Sequence, residues 1–247
     1  MTLRPDDPRL RAALALFEAV VAVSLTMLLA ILVTYLVAPA SVVKIAELAG
    51  GAVPPGLATG GEPSMREALA WTMALQNGVL VLAGAALAWW RCPRPEKRTP
   101  VLHAVTWGLL AGVSAFALSG IVAWLQELAG VPVHEQEPLL KALKDIPITA
   151  AFPWVAVVAP LGEETFFRGY LFRFLASRTP RWLAYGASAC AFAGIHLNPS
   201  GFLVYVSIAL VLAWAYRRTG LLLVPFLAHA VHNAITLIAL YTIPATP

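Results

Sequence analysis

The sequence predicts an all-α protein, a polytopic transmembrane bundle of about seven to eight helices. Of its 247 residues, 60% are hydrophobic and 12% are charged, whereas soluble domains carry about 25% charged residues. The mean hydropathy of +0.76 also indicates a membrane protein. The chain divides into apolar segments, and about 20 residues suffice to cross the hydrocarbon layer. Seven segments can be drawn, at about 12–38, 67–90, 101–129, 147–174, 182–197, 202–216 and 220–242.

The first three segments, 12–38, 67–90 and 101–129, are long enough to span a bilayer and carry no chemical motif. The fourth is equally long but contains charged residues. We therefore divide the chain into two regions. Residues 1–146 form N-terminal transmembrane helices and loops, and residues 147–242 form a core that contains the polar motifs.

The fifth and sixth segments are short for membrane spans, and the turn Asn198-Pro199-Ser200-Gly201 joins them. A turn at membrane depth must be covered by protein, because lipid offers its backbone no hydrogen bonds. We therefore expect this turn to lie in a protein-lined interior. Residues 134–146 combine apolar and charged side chains, which predicts a short interfacial helix.

Lysine and arginine predict the orientation, because cytoplasmic loops carry an excess of both. Twelve basic residues flank one side of the bundle and four flank the other. The N-terminus is therefore predicted to be cytoplasmic, and seven spans place the C-terminus outside. The basic side holds Arg4, Arg9, Arg11, Arg91, Arg94, Lys97, Arg98, Arg173, Arg178, Arg181, Arg217 and Arg218; the other side holds Lys44, Arg66, Lys141 and Lys144.

This clustering at segment ends also accounts for the net charge of +4 and the pI near 9.3. We therefore predict membrane lipid as the surroundings and no nucleic-acid partner. The two cysteines, Cys92 and Cys190, indicate neither a disulfide framework nor a cysteine metal site.

Charged residues in the fourth segment suggest chemistry. Glu164 and Arg168 are four residues apart and can pair on one helical face. Glu163 lies about 100° around the axis and keeps its own direction. Acids in hydrocarbon are costly and normally functional. A buried ion pair that merely ties helices together is the structural alternative, but it leaves Glu163 unexplained.

Two further segments carry imidazoles and an amide. His196 ends the fifth segment, and His229 and Asn233 are four residues apart in the seventh. Glu163 beside His196 can remove a proton from water, while His229 and Asn233 can donate to the oxyanion of a tetrahedral intermediate. Each polar residue alone could also serve to hold membrane helices together. Their occurrence on three segments favours a hydrolytic site.

Three motifs resemble those of the CPBP intramembrane proteases, the CAAX-protease and bacteriocin-processing family. The motifs are Glu163-Glu164-x-x-x-Arg168, Phe192-x-x-x-His196 and His229-x-x-x-Asn233, in the family's order, within about 147–242. The resemblance implies a CPBP-like helical fold and a glutamate-type endopeptidase that needs no cofactor or metal. The implied catalytic residues are Glu163, His196, His229 and Asn233, supported by Glu164 and Arg168.

The resemblance also implies a peptide or protein substrate in a cell membrane, with the bacterial inner membrane favoured. This substrate could be a prenylated C-terminal motif, a leader or bacteriocin precursor, or a chain with a hydrophobic C-terminal tail. The zinc-protease motif His-Glu-x-x-His is absent from the sequence.

Three alternatives stay open. Zinc held by Glu163, His196 and His229 is chemically possible, because two histidines and a glutamate form a known ligand set. A non-catalytic immunity or scaffold protein of the same family would use the polar core to bind a partner. A proton-coupled carrier would use Glu163 and the histidines as a relay.

Overall fold

The computed structural model describes residues 7–48, 63–94, 99–133 and 137–243, which contain helices and no strand. Five of the helices are long and apolar enough to cross a membrane: α1, α3, α4, α8 and α9. The all-helical fold with several candidate membrane spans is therefore confirmed, while the count of seven to eight membrane helices stays a prediction. The helices are α1 Pro8–Val37, α2 Pro39–Leu48, α3 Met65–Arg91, α4 Val101–Leu128, α5 Glu137–Lys144, α6 over 148–176, α7 Arg181–Ile195, α8 Phe202–Thr219 and α9 Leu223–Thr242.

Two short helices modify the predicted outline. α2 follows α1 after a break at Ala38 and was not predicted, because the first apolar segment ends there. α5 lies within 134–146, where a short interfacial helix was predicted; residues 134–136 lie outside the described part of the chain. Arg4, Lys97 and Arg98 of the predicted basic side lie outside it as well.

α6 corresponds to the fourth predicted segment and is an interrupted helix. Pro153 and Pro160 flank the first interruption, and both lack the N–H that continues an α-helical ladder. Parts of α6 are π-helical instead of α-helical, and π-helical turns occur frequently at functional sites. The α-helical stretches are Ile148–Pro153, Ala159–Glu164 and Arg173–Ala176, and the π-helical stretches are Trp154–Val158 and Thr165–Phe172.

Exposed tryptophans on α3 indicate the position of the membrane. Trp71 and Trp90 are largely exposed and lie about 28 Å apart along the helix axis, at 1.5 Å per residue. Tryptophan favours the membrane interface, and the hydrocarbon layer is about 30 Å thick. Gly162 packs directly against Asn77, which lies between the two tryptophans. The acidic pair that follows Gly162 therefore lies at membrane depth.

Several basic residues meet at one end of the bundle. Arg178 Nη2 donates to the carbonyl of Arg91 (3.0 Å), and Arg91 forms an ion pair of 2.5 Å with Glu18 near the start of α1. At the same end, the Thr99 hydroxyl donates to the carbonyl of Thr219 (2.9 Å). These contacts join ends of α1, α3, α6 and α8, all of which the sequence analysis assigned to the basic side.

The turn between α7 and α8 is partly covered by α4. Gln126 Nε2 donates to the carbonyl of Ser200 (3.0 Å), and Gly201 is buried. Leu197 is 88% exposed and has a φ of 50° in the left-handed region. A left-handed residue ends a helix, so α7 ends at Ile195 with His196 as its C-cap.

Small residues allow α4 and α9 to pack closely. A Cβ atom at Gly112 would lie 2.6 Å from the Cβ of Val231 and 2.7 Å from the carbonyl oxygen of Ala228. Close approach through small residues is a common way for membrane helices to associate. This contact brings α9, with its histidines, against α4.

We expect Gly112→Ala to destabilise the protein by about 1–3 kcal/mol, because overpacking forces neighbouring backbone and side chains to move. Gly120→Ala is the matched control on the same helix, since a Cβ there would meet nothing within 4 Å. The measurement is the free energy of unfolding in detergent micelles. Equal losses in the two variants would contradict close α4–α9 packing.

Candidate active site

A cavity of about 1600 Å³ connects the polar motifs. Glu163 on α6, His196 at the end of α7, and His229 and Asn233 on α9 all line it. Most of the remaining wall consists of apolar side chains, and every described helix except α2 contributes to it. The four side chains that the sequence analysis selected as catalytic therefore face one shared space.

Glu164 and Arg168 form a buried ion pair beside this cavity. Arg168 Nη1 lies 2.7 Å from Glu164 Oε1, and each residue is 1% exposed. Arg168 Nη2 also donates to the carbonyl of Ala209 on α8 (3.0 Å), and its guanidinium lies 4.8 Å from the ring centre of Phe192. The predicted spacing of four residues thus gives a direct contact, even though α6 is π-helical here.

His229 contacts both acids. Its Nδ1 lies 2.8 Å from Glu164 Oε1, and its Nε2 lies 3.9 Å from Glu163 Oε2. A carboxylate paired with arginine accepts hydrogen bonds, so Nδ1 of His229 carries the hydrogen and the neutral ring keeps its lone pair on Nε2. The distance of 3.9 Å is too long for a direct hydrogen bond.

Glu163 has an oxygen with no protein partner. Its Oε2 is buried and accepts no hydrogen bond from the described residues. Buried polar atoms are normally satisfied, so this oxygen lacks the partner that such an atom usually has, while the side chain as a whole is 15% exposed and lines the cavity. We expected Glu163 to point away from Glu164 around the helix axis; instead, the two acids approach opposite nitrogens of the His229 ring.

His196 is held between two aromatic rings. Its ring stacks on Tyr205 with centroids 4.1 Å apart, and Phe192 lies 4.8 Å away on the same helix. His196 Nδ1 donates to the carbonyl of Phe192 (2.8 Å), because a carbonyl can only accept. Nε2 therefore carries the lone pair in the neutral ring, as a proton acceptor requires.

Both polar atoms of the Asn233 side-chain amide form hydrogen bonds. Its Nδ2 donates to the carbonyl of Val155 on α6 (2.9 Å), and its Oδ1 lies 3.2 Å from His232 Nδ1. An amide nitrogen has two hydrogens, so one N–H is left after the bond to Val155. His229 and Asn233 share the cavity-facing side of α9, as their spacing predicted.

Sequence reasoning did not select several residues that shape this site. Tyr205 stacks on His196, Asn77 packs against Gly162, and Val155 offers its carbonyl to Asn233. Asn77 was recognisable, together with its neighbour Gln76, as a polar residue in an apolar span. The Tyr205 and Val155 contacts carry no sequence signal, because one is an aromatic side chain among many and the other is a backbone group.

The described residues contain no group of three or more His, Cys, Asp or Glu side chains placed to hold a metal ion. Glu163, His196 and His229, the set considered for zinc, line the same cavity without forming such a group.

Residues 145–235 match the family model described as type II CAAX prenyl endopeptidase Rce1-like. The matched range includes all three motifs and the ion pair of Glu164 with Arg168. Neither a curated protein nor a solved structure matches the chain significantly.

Proposed function

We propose that this multi-pass membrane protein, whose residues 145–235 form an Rce1-like domain of the CPBP family, is an intramembrane endopeptidase. The family is a family of proteases. The observation that best supports activity in this chain is the meeting of Glu163, His196, His229 and Asn233 around one cavity at membrane depth. We take Glu163 and His196 as the residues that activate water.

The reaction begins with a water held at the Glu163 carboxylate, on the part of the side chain that lines the cavity. As the water oxygen bonds to the scissile carbonyl carbon, one water proton passes to the Glu163 carboxylate. His196 Nε2, held as an acceptor by the bond from Nδ1 to Phe192, orients the same water. When the C–N bond breaks, Glu163 returns the proton to the leaving amine, so the enzyme ends as it began.

The oxyanion needs hydrogen-bond donors already in place, which is often the largest single contribution to such catalysis. Asn233 supplies its second N–H. His229 donates through Nε2 only when its ring is protonated, and Glu164 Oε1 stabilises that form by accepting from Nδ1. Arg168 holds Glu164 in position for this contact.

The cavity wall supports a substrate with a hydrophobic segment. Apolar side chains from eight of the described helices surround a few convergent polar groups, as is typical of ligand sites. We therefore propose a membrane-associated peptide or protein as substrate, such as a chain with a hydrophobic C-terminal tail. We propose no nucleic-acid partner. We also propose a bacterial inner membrane as the location and a cytoplasmic N-terminus, the latter supported by the basic end of the bundle.

We further propose that the catalytic core is 147–242 and that 1–146 supplies much of the cavity wall. α1, α3 and α4 from this N-terminal region all line the cavity. In this assignment the N-terminal helices bind the substrate, and the core cleaves it.

Hydrolysis can be tested with purified protein in liposomes and a library of peptides with hydrophobic C-terminal segments. We expect cleavage, with one atom of heavy oxygen from labelled water in the new C-terminal carboxylate, measured by mass spectrometry. The control is the Glu163→Gln variant under the same conditions. Binding of these peptides without any cleavage would contradict the protease assignment and favour the non-catalytic alternative.

A further inference from the structure

A line of hydrogen bonds runs from α4 through α9 to α6 and passes through the Asn233 amide. Ser119 Oγ lies 3.3 Å from His232 Nε2, and His232 Nδ1 lies 3.2 Å from Asn233 Oδ1. Asn233 Nδ2 then donates to the carbonyl of Val155 (2.9 Å). Ser119 and His232 are buried, and neither belongs to the three motifs.

The direction of these bonds follows from counting protons. Asn233 Oδ1 can only accept, so His232 Nδ1 must carry a hydrogen. A neutral His232 ring then has its lone pair on Nε2, which needs a donor. Ser119 is that donor when its hydroxyl turns from the carbonyl of Phe116, 2.9 Å away, towards His232. Without Ser119, nothing favours this tautomer over the one with hydrogen on Nε2. In that other tautomer the lone pair of His232 Nδ1 would face the lone pairs of Asn233 Oδ1.

The Val155 end of the line depends on Pro160. In this π-helical stretch the N–H of Ala159 bonds to the carbonyl of Trp154, one residue earlier than Val155. The next residue is Pro160, which has no N–H, so no backbone donor from either position reaches the Val155 carbonyl. Asn233 supplies the missing hydrogen bond, which a carbonyl at membrane depth requires.

We infer that Ser119 and His232 are positioning residues that fix the Asn233 amide with its second N–H directed at the oxyanion site. His232 holds Oδ1 and Val155 holds one N–H, so the amide cannot rotate to present its oxygen instead. Among the described residues, the second N–H has no acceptor, and Asn233 lines the same cavity as Glu163. This inference rests on the proposed hydrolysis and adds Ser119 and His232 to the residues that control it.

The test measures kcat and KM for Ser119→Ala, Ser119→Thr and Asn233→Ala in liposomes. We expect Ser119→Ala to lower kcat by about 10- to 100-fold, as loss of an outer hydrogen-bond partner does, with little change in KM. Ser119→Thr keeps the hydroxyl and should recover most of the rate. Ser114→Ala is the matched control, because Ser114 lies on the exposed side of α4 and donates only to the carbonyl of Leu110 (2.8 Å).

A double variant separates positioning from packing. If Ser119 acts through Asn233, then Ser119→Ala causes no further loss of kcat in the Asn233→Ala background. An equal loss in both backgrounds would overturn the inference, as would an unchanged kcat in the single variant. If instead the unmodified protein cleaves no peptide, the proposed function itself fails, so the two failures are distinguishable.

A spectroscopic measurement covers the case in which Asn233→Ala is too slow to assay. Nitrogen NMR of labelled His232 should report hydrogen on Nδ1 and a lone pair on Nε2. Ser119→Ala should change the Nε2 resonance, while Ser114→Ala should leave it in place. A His232 ring with hydrogen on Nε2 alone would overturn the inference without any activity measurement.

Discussion

Replacing Glu163 with Gln is expected to reduce cleavage by about 10²–10⁴-fold, the usual contribution of general acid–base catalysis. Glutamine has nearly the same shape but cannot take a proton from water. The carboxylate oxygen that it replaces has no hydrogen-bond partner among the described residues, so folding should be little affected. The measurement is the rate of product formation in liposomes at matched protein levels.

Glu127→Gln is the control for this prediction, because Glu127 is an exposed carboxylate on α4, away from the motifs. It should leave the rate unchanged. Undiminished cleavage by Glu163→Gln would remove the proposed base and with it the glutamate mechanism. A biological phenotype that survives Glu163→Gln, with no product detected in either protein, would instead indicate an immunity or scaffold role.

Replacing Arg168 with Met is expected to produce the largest loss of stability, about 3–5 kcal/mol. The guanidinium is 1% exposed, bonds Glu164 and the Ala209 carbonyl, and lies over Phe192. Its removal leaves the Glu164 carboxylate charged and uncompensated inside the bundle. The measurement is the free energy of unfolding in detergent, and Arg217→Met on the exposed end of α8 is the control.

The double variant Glu164→Gln with Arg168→Met distinguishes charge from shape. Glutamine removes the uncompensated charge and still offers an oxygen to His229, so part of the lost stability should return relative to Arg168→Met alone. If the double variant is as unstable as Arg168→Met, the loss came from packing of the arginine side chain. Activity should stay low in both: in the double variant His229 loses its charged partner, and in Arg168→Met that partner loses the arginine that holds it in position.

Local spacing allowed part of this site to be predicted. Glu164 and Arg168 are one helical turn apart, and His229 and Asn233 are likewise separated by four residues, so each pair could be placed on a shared face. Apolar length likewise predicted the long helices. These inferences need only the geometry of a single helix.

Contacts between distant segments could not be predicted in the same way. The bond from His229 Nδ1 to Glu164 crosses 65 residues of sequence and depends on how α6 and α9 pack. For that reason Glu163 and Glu164 were expected to diverge, whereas both approach the same imidazole. Pro153 and Pro160 were visible, but how α6 would accommodate them depends on partners such as Asn233 on another helix.

The makeup of the cavity wall has a practical consequence for engineering. Met27 on α1, Asn77 on α3 and Phe116 on α4 line the cavity, yet all three lie outside the range 145–235 that the family model matches. An excised fragment limited to that range would retain every motif and lose the surfaces that shelter them from lipid. The motifs therefore cannot be moved to another protein by themselves. A chimaera with another membrane scaffold would also have to include the first four helices.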